Sequence, residues 1–398
     1  MSDATVLIAA LTGRALAASA RRAGFAPLVV DAFADEDMRE RAAAFICLGE
    51  ATRTGFRARP LLAALEALAA KAPQPPVGLV LGSGFEDTPK LIATLARHYP
   101  LIGSRGDAIG RAKHPASFFP LLDCLAIPHP ETRLDPPRDP EGWLSKRIGG
   151  SGGAHVLPCA AAKTHSGRYY QRRMEGTPVS LLAVAVRGAT HLVGFSRQWT
   201  VGGAVRPYRY GGATGPVALG AASEERMATA AEAVCREIGL VGLVSFDFLL
   251  ANDVPYLLEV NPRPGATIDV FDNDIGMLFQ AHIAAWEGRP VTLAPRAQAA
   301  SAAGVLYAGA DALIVGSVPW PSWTADRSLP GTRVPRHRPV ATVFAEGADA
   351  AAAEQNCRRR LDELAHMLYS RAGNRERTHA AEVHRPGTER LGTSGQAR

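Results

Sequence analysis

The stretch Val244-Ser245-Phe246-Asp247-Phe248-Leu249-Leu250-Ala251-Asn252-Asp253-Val254-Pro255-Tyr256-Leu257-Leu258-Glu259-Val260-Asn261-Pro262-Arg263 decides how this chain is read. Two apolar runs flank a polar turn, the pattern of a β-hairpin. With a loop at 252–254, Asp247 falls opposite Glu259, and Asn261 shares their face because strand side chains alternate. Two carboxylates opposed on apolar strands repel unless a cation lies between them. Oxygen ligands with open positions suit Mg²⁺, which completes its shell with water and phosphate. A solvated sheet edge rarely sets acids among Phe, Leu and Val at this density. A two-residue loop would instead turn Asp247 and Glu259 to opposite faces.

About a hundred residues upstream stands Trp143-Leu144-Ser145-Lys146-Arg147-Ile148-Gly149-Gly150-Ser151-Gly152-Gly153. A strand delivers a lysine, and the glycines that follow can turn several N–H groups toward one anion. A lone glycine run reads as a flexible linker, and no GxxxxGK[ST] phrase makes it a Walker loop. Joined to the acid pair downstream, it reads as an anion-binding loop. Two further blocks are Arg111-Ala112-Lys113-His114, leading into Leu125-Ala126-Ile127-Pro128-His129-Pro130, and Tyr169-Tyr170-Gln171-Arg172-Arg173-Met174-Glu175-Gly176.

In this order and spacing the four blocks resemble the ATP-grasp superfamily, over about residues 1–345. The resemblance implies that Lys113 and Lys146 contact ATP phosphates and that the loop Gly149, Gly150, Ser151, Gly152, Gly153 closes over them. Gln171, Arg172 and Met174 would lie in the adenine hinge. Asp247, Glu259 and Asn261 would hold Mg²⁺, and Arg263 would stabilise charge on the transferred phosphoryl group or tetrahedral adduct. Gln171 stands where a glutamate is common, and Pro178 where some ligases carry a ribose-binding glutamate. The implied chemistry is ADP-forming carbon–nitrogen ligation through an acylphosphate, with Lys146 and Arg263 catalytic. Arg197, Arg206 and Arg209 are offered to a substrate carboxylate. The pattern looks closest to small amino-acid ligases such as tyramine–glutamate ligase of methanofuran-type cofactor biosynthesis. The alternatives are a non-catalytic ATP-binding regulatory protein and an ATP-grasp ligase for another amino acid or peptide. A dinucleotide-dependent oxidoreductase would need GxGxxG after the first strand, where only Gly13 stands.

The fold expected is α/β and α+β: an open parallel sheet, then a two-lobed ATP-grasp fold and a small β-rich C-terminal appendage. Strands at 6–10, 28–31, 44–48 and 77–81 alternate with helices at 14–23 and 60–71, the order of an open parallel sheet. Gly82-Ser83-Gly84 marks a turn at a strand's carboxyl end, where such sheets bind ligands. Beyond the Pro-rich 127–140, alternation places strands near 143–147, 168–171, 179–186, 190–195, 242–250 and 255–260, interrupted by one helix at 222–238. The divisions expected are 1–105 preATP-grasp, 106–176 small lobe, 177–300 large lobe, 301–370 appendage and 371–398 disordered tail.

Composition narrows the class. With 47% hydrophobic residues in 398, the chain is neither globally disordered nor collagen-like. Five scattered cysteines without a CxxC pair exclude a zinc framework and point to reduced thiols in the cytoplasm. Asp3 precedes the first apolar run and Arg14 lies inside it, the reverse of a signal peptide. No apolar run is long enough for a spanning helix, so no membrane partner is expected. The net charge of +6 is concentrated: residues 105–210 hold 15 Lys/Arg against 7 Asp/Glu. That local field suits small anions better than nucleic acid. The partners expected are a small-molecule acid and amine, with a homodimer by analogy.

Overall fold

The computed structural model describes residues 4–161, 167–293 and 299–371. Apart from Arg371, which ends the last helix, the tail expected over 371–398 lies outside the described residues. The first sheet is parallel, with strands in the spatial order Ala44–Cys47, Phe25–Asp31, Ala4–Ala9, Leu79–Leu81, Leu101–Ile102. Its central strands read as unbroken apolar runs because both faces are covered. The order reverses between Ala4–Ala9 and Leu79–Leu81, so the loops after these strands form the crevice of a topological switch point. Leu11 N–H donates to Ser83 O across it at 2.8 Å.

A small antiparallel sheet follows, ordered Thr132–Arg133, Arg168–Arg172, Trp143–Arg147, Leu157–Pro158. The largest sheet has eight strands, ordered Val254–Asn261, Gly242–Ala251, Thr177–Val186, Ala189–Thr200, Tyr210–Gly215, Ala300–Tyr307, Pro339–Gly347, Thr324–Ala325. Its last three strands come from the segment expected to form a small β-rich C-terminal appendage, and they continue the large sheet as its outer strands. Ala300–Tyr307 pairs directly with Tyr210–Gly215, Gly212 opposite Gly304. Alternation reveals a strand but not a partner some ninety residues away.

Helix Ala221–Ile238 ends at Gly239, whose φ of 77° supplies the left-handed cap expected there. It is not the single helix of its block, as expected. Ile268–Phe271 and Met277–Glu287 are helical too, and the second is buried along nearly its whole length. With only Gln280 and Glu287 exposed and polar, this helix has a stripe too narrow for periodicity to detect. It lies between the two large sheets, where Val6, Ile8, Leu182, Val184, Leu243, Leu278 and Phe279 share one core. His282 crosses that core. Its Nδ1 accepts Leu243 N–H at 2.9 Å, and Nε2 lies 3.2 Å from Ile102 O. Burial pushes this histidine down to about 4, so it bridges the sheets uncharged.

Arg14 ties the two sheets together at their ends. It is 7% exposed, forks onto Asp269 at 2.5 and 2.7 Å, and meets Asp326 at 2.9 and 3.0 Å. Asp37 accepts the N–H groups of Asp326 and Arg327, and Asp31 accepts those of Gly13, Phe33 and Ala34. The Gly13 N–H that a dinucleotide phosphate would use is thus taken by Asp31. Asp35, 8% exposed, has no side-chain hydrogen bond among the described residues. Burial first, then Asp326, Asp31 and Asp37, push it up to about 8 against the pull of Arg14. A carboxyl raised in the folded state stabilises the fold at low pH and loses that contribution as pH climbs from about 4 to about 8. Asp35→Asn is therefore expected to be more stable than the parent by a margin growing about 1 kcal/mol per pH unit across that window. Thermal unfolding from pH 5 to 9 measures it, and a pH-independent margin would contradict this assignment.

Candidate active site

The hairpin that carries the acid pair closes through a two-residue turn, Asn252 and Asp253, with φ of 48° and 60°. Ala251 pairs with Val254 and Phe248 with Leu257, the register that would separate the acids. A bulge at Leu258 then shifts the ladder by one, so Asp247 pairs with Glu259 and Ser245 with Asn261. The opposition expected from a longer loop is thus achieved by a different device. Asn261 Nδ2 donates to Asp247 Oδ2 at 2.9 Å and Glu259 Oε1 at 3.3 Å. Gln198 Nε2 donates to Asp247 Oδ1 at 3.0 Å.

Two lysines converge on this face from different elements. Lys113, at the end of helix Gly106–Lys113, donates to Asn261 Oδ1 at 3.0 Å and stands 3.8 Å from Glu259 Oε2. Lys146 lies on Trp143–Arg147 with Gln171 diagonally across the ladder, and its Nζ donates to Gln171 Oε1 at 2.5 Å. Gln171 Nε2 in turn reaches Thr132 Oγ1 at 3.2 Å. Gly149, Gly152 and Gly153 all hold left-handed φ near 70°. A Cβ on Gly153 would overlap Tyr208 O, while Tyr210 N–H donates to Gly152 O at 3.0 Å. The loop therefore rests on the segment before strand Tyr210–Gly215, with Ser151 half-buried at its tip. A small open cleft is lined in part by Lys113, Phe119, Gly149, Gly150, Tyr169 and Glu259.

Other expected residues lie elsewhere. Arg197 neighbours Gln198 on its strand and so faces the other side of the sheet, where it pairs with Glu354 at 3.1 Å. Arg209 is buried, donating to Val201 O and His337 O with its guanidinium 3.9 Å from the Tyr307 ring centroid. Arg206 is half-buried in the intervening turn. The three do not form the carboxylate clamp expected of them. Arg172 is exposed, with its guanidinium over Trp143, and Met174 is half-buried in the loop after that strand. Arg263 Nε donates to Glu86 Oε1 at 2.7 Å. Glu86 was not singled out in the sequence, although the Gly82-Ser83-Gly84 turn just before it was.

Electrostatics follow from burial. Burial, then Glu259, pushes Asp247 up to about 6. Burial would raise Glu259 as well, but Lys113 and Lys146 overcome it and hold that carboxyl below its ordinary range. Burial draws Lys146 down against the support of Glu259 and Asp247. Among the described residues no three His, Cys, Asp or Glu side chains are grouped to hold a metal. Two carboxylates and an amide on one face are nevertheless a donor set that fits Mg²⁺ sharing its shell with water and phosphate.

Residues 118–267 match the ATP-grasp domain family, so the chain contains an ATP-grasp domain. That segment includes Lys146, the glycine loop, Asp247, Glu259, Asn261 and Arg263, while Lys113 and Glu86 precede it. The chain is 26% identical over 234 residues to the carbamoyl phosphate synthase large chain of Myxococcus xanthus, covering 53% of this chain and 22% of that protein. It thus spans about a fifth of that relative's length. Among solved structures it is similar to the biotin carboxylase–β,γ-ATP complex of Campylobacter jejuni, with a TM-score of 0.68, 16% identity and 91% of each chain covered. It is also similar to phosphoribosylamine–glycine ligase of Thermotoga maritima, with a TM-score of 0.65 and 15% identity, covering 91% of this chain and 96% of that one. Among the described residues no helix is long and apolar enough to cross a membrane.

The acid pair makes a direct electrostatic prediction. Glu259→Gln removes the charge that opposes ionisation of Asp247, so the Asp247 carboxyl should titrate below the parent value of about 6. Carboxyl ¹³C NMR in metal-free buffer measures the shift. An unmoved or higher value would show that the two carboxylates do not face one another.

Proposed function

We propose that this chain, which contains an ATP-grasp domain, is an ATP- and Mg²⁺-dependent ligase that joins a carboxylate to an amine and releases ADP. The observation that carries this reading is the bulge at Leu258, which sets Asp247 opposite Glu259 below Lys113 and alongside Asn261. A half-buried acid pair with two lysines beside it is matched to a metal-bound polyphosphate, whose charges complement both kinds of group.

Residue roles follow from position. Lys146, held by Gln171, would meet the phosphates as a compact charge beside the backbone of residues 149–153. Asp247, Glu259 and Asn261 would hold Mg²⁺, whose contribution when bound is to neutralise the polyphosphate and polarise the γ-phosphoryl group. The substrate carboxylate attacks the γ-phosphorus and ADP departs. The amine then attacks the acyl carbon of the acylphosphate, phosphate leaves, and the amine proton passes to solvent. Positioning and charge neutralisation carry the rate, and no protein nucleophile is needed. Arg263, two residues beyond Asn261, would meet charge on the transferred group.

Within this reading the acid is an amino acid such as glutamate and the setting is assembly of a methanofuran-type cofactor. Support for that finer statement comes from the sequence resemblance. The arginines offered for a second carboxylate add nothing to it, since Arg197 and Arg209 are engaged elsewhere. Five unpaired cysteines support a cytoplasmic setting.

ADP release from Mg·ATP, measured against a matrix of amino acids and amines, tests the reading. The expected result is turnover only when an acid and an amine are both present, with Lys146→Ala reducing kcat/KM at least a hundredfold. Nucleotide binding without turnover across a broad panel would favour a regulatory ATP-binding protein instead.

A further inference from the structure

Glu86 lies outside the matched domain, on the turn after strand Leu79–Leu81 at the switch point of the parallel sheet. It is 4% exposed, and both of its oxygens are occupied. Oε1 accepts Arg263 Nε at 2.7 Å, and Oε2 accepts the N–H groups of Gly84 and Phe85 at 2.7 and 2.9 Å. Gly84 holds φ at 104°, and a Cβ there would stand 2.6 Å from Leu11 Cγ. The turn is therefore built around glycine so that its N–H groups can clamp the carboxylate.

Arg263 is held in an unusual way. Its Nε is taken by Glu86, its NH1 lies 3.3 Å from Pro264 O, and its NH2 has no protein hydrogen bond among the described residues. Arg14, whose role is to tie the sheets together, instead spends its whole fork on two carboxylates. A purely structural arginine gains most from such bidentate pairing. Monodentate capture through Nε fixes the guanidinium plane and leaves an N–H edge available. The Arg263 backbone N–H also donates to Asn261 O at 2.9 Å, a tight turn directly after the strand that carries Glu259 and Asn261. A small cleft borders the pair, lined in part by Gly82, Phe85, Glu86, Gly103, Pro262 and Arg263.

We propose that Glu86 is a positioning residue that orients Arg263, so that the free guanidinium edge meets the phosphoryl group during transfer. The parallel-sheet domain thereby contributes to the chemistry through one carboxylate. This inference rests on the ligase reading and goes beyond it by assigning a role to a residue outside the ATP-grasp segment. Arg263 and Lys113 overcome the effect of burial and hold Glu86 down at about 2, so it is ionised throughout the working pH range.

The test uses the full chain loaded with Mg·ADP and titrated with inorganic phosphate by calorimetry, with steady-state turnover alongside. Glu86→Gln is expected to weaken phosphate binding at least tenfold and to lower kcat comparably, leaving Mg·ADP affinity and the KM for ATP within twofold. The double variant Glu86→Gln/Arg263→Ala should behave like Arg263→Ala alone, because Glu86 acts through the arginine. A residue serving only to join the domains would lower the unfolding temperature without that non-additivity. Unchanged phosphate affinity and kcat in Glu86→Gln, or losses that multiply in the double variant, would overturn the proposal. So would a parent protein that binds Mg·ADP but no phosphate. Failure of the parent to bind Mg·ADP would instead sink the ligase reading, and this inference with it.

Discussion

Two half-buried carboxylates of like charge, facing each other across a single rung of a sheet, set the terms for the rest of the molecule. An isolated pair of this kind would force one member to take up a proton. Here the repulsion is met by Lys113 from a helix of the preceding region, by Lys146 from the small sheet and by the amide of Asn261 from the same strand. These groups come from three parts of the chain and converge because the acids need them. What brings the acids together is one unpaired residue, Leu258, whose extra step turns Glu259 to the face of Asp247.

Charge is handled differently at the two junctions between the sheets. Around Arg14 the guanidinium is fully engaged, and the surplus of Asp31, Asp35, Asp37, Asp269 and Asp326 is relieved by backbone N–H donors and by a raised Asp35. Around Arg263 a single carboxylate grips one nitrogen and is itself gripped by a glycine turn. The first arrangement suits a fixed joint. The second keeps a cation oriented yet incompletely satisfied, as expected of a group that meets a transient anion.

Much of this was legible from local pattern. The strand at 143–147, the helix ending at Gly239 and both arms of the 244–263 hairpin match the structure closely, because each has a short-range signature: alternation, a left-handed cap, a polar turn. The acid pair was placed correctly through the wrong loop length, since a bulge leaves no trace in hydrophobic alternation. Helix Met277–Glu287 has too narrow a polar stripe, Gln280 and Glu287, for periodicity to detect, and alternation at 300–347 marks strands but not their partners. The arginine clamp failed for a plainer reason. Arg197 and Arg209 were chosen for residue type, and strand parity alone puts Arg197 on the opposite face from Gln198. Glu86 carries no signal in the sequence, because a single acid after a glycine turn gains its meaning from Arg263, which only the fold sets beside it.

Helix Met277–Glu287 makes the parallel sheet inseparable from the rest of the chain. Its buried residues complete a core to which both large sheets contribute side chains, and His282 is bonded to each of them. A cut near residue 105 would strip Val6, Ile8 and Val29 of the side chains that cover them, so the first hundred residues cannot be exchanged as an independent cassette. Recombination between relatives at that apparent boundary would be viable only if the helix travelled with the piece it covers. The packing unit is therefore interleaved along the chain, its parts lying on both sides of the ATP-grasp segment's central strands.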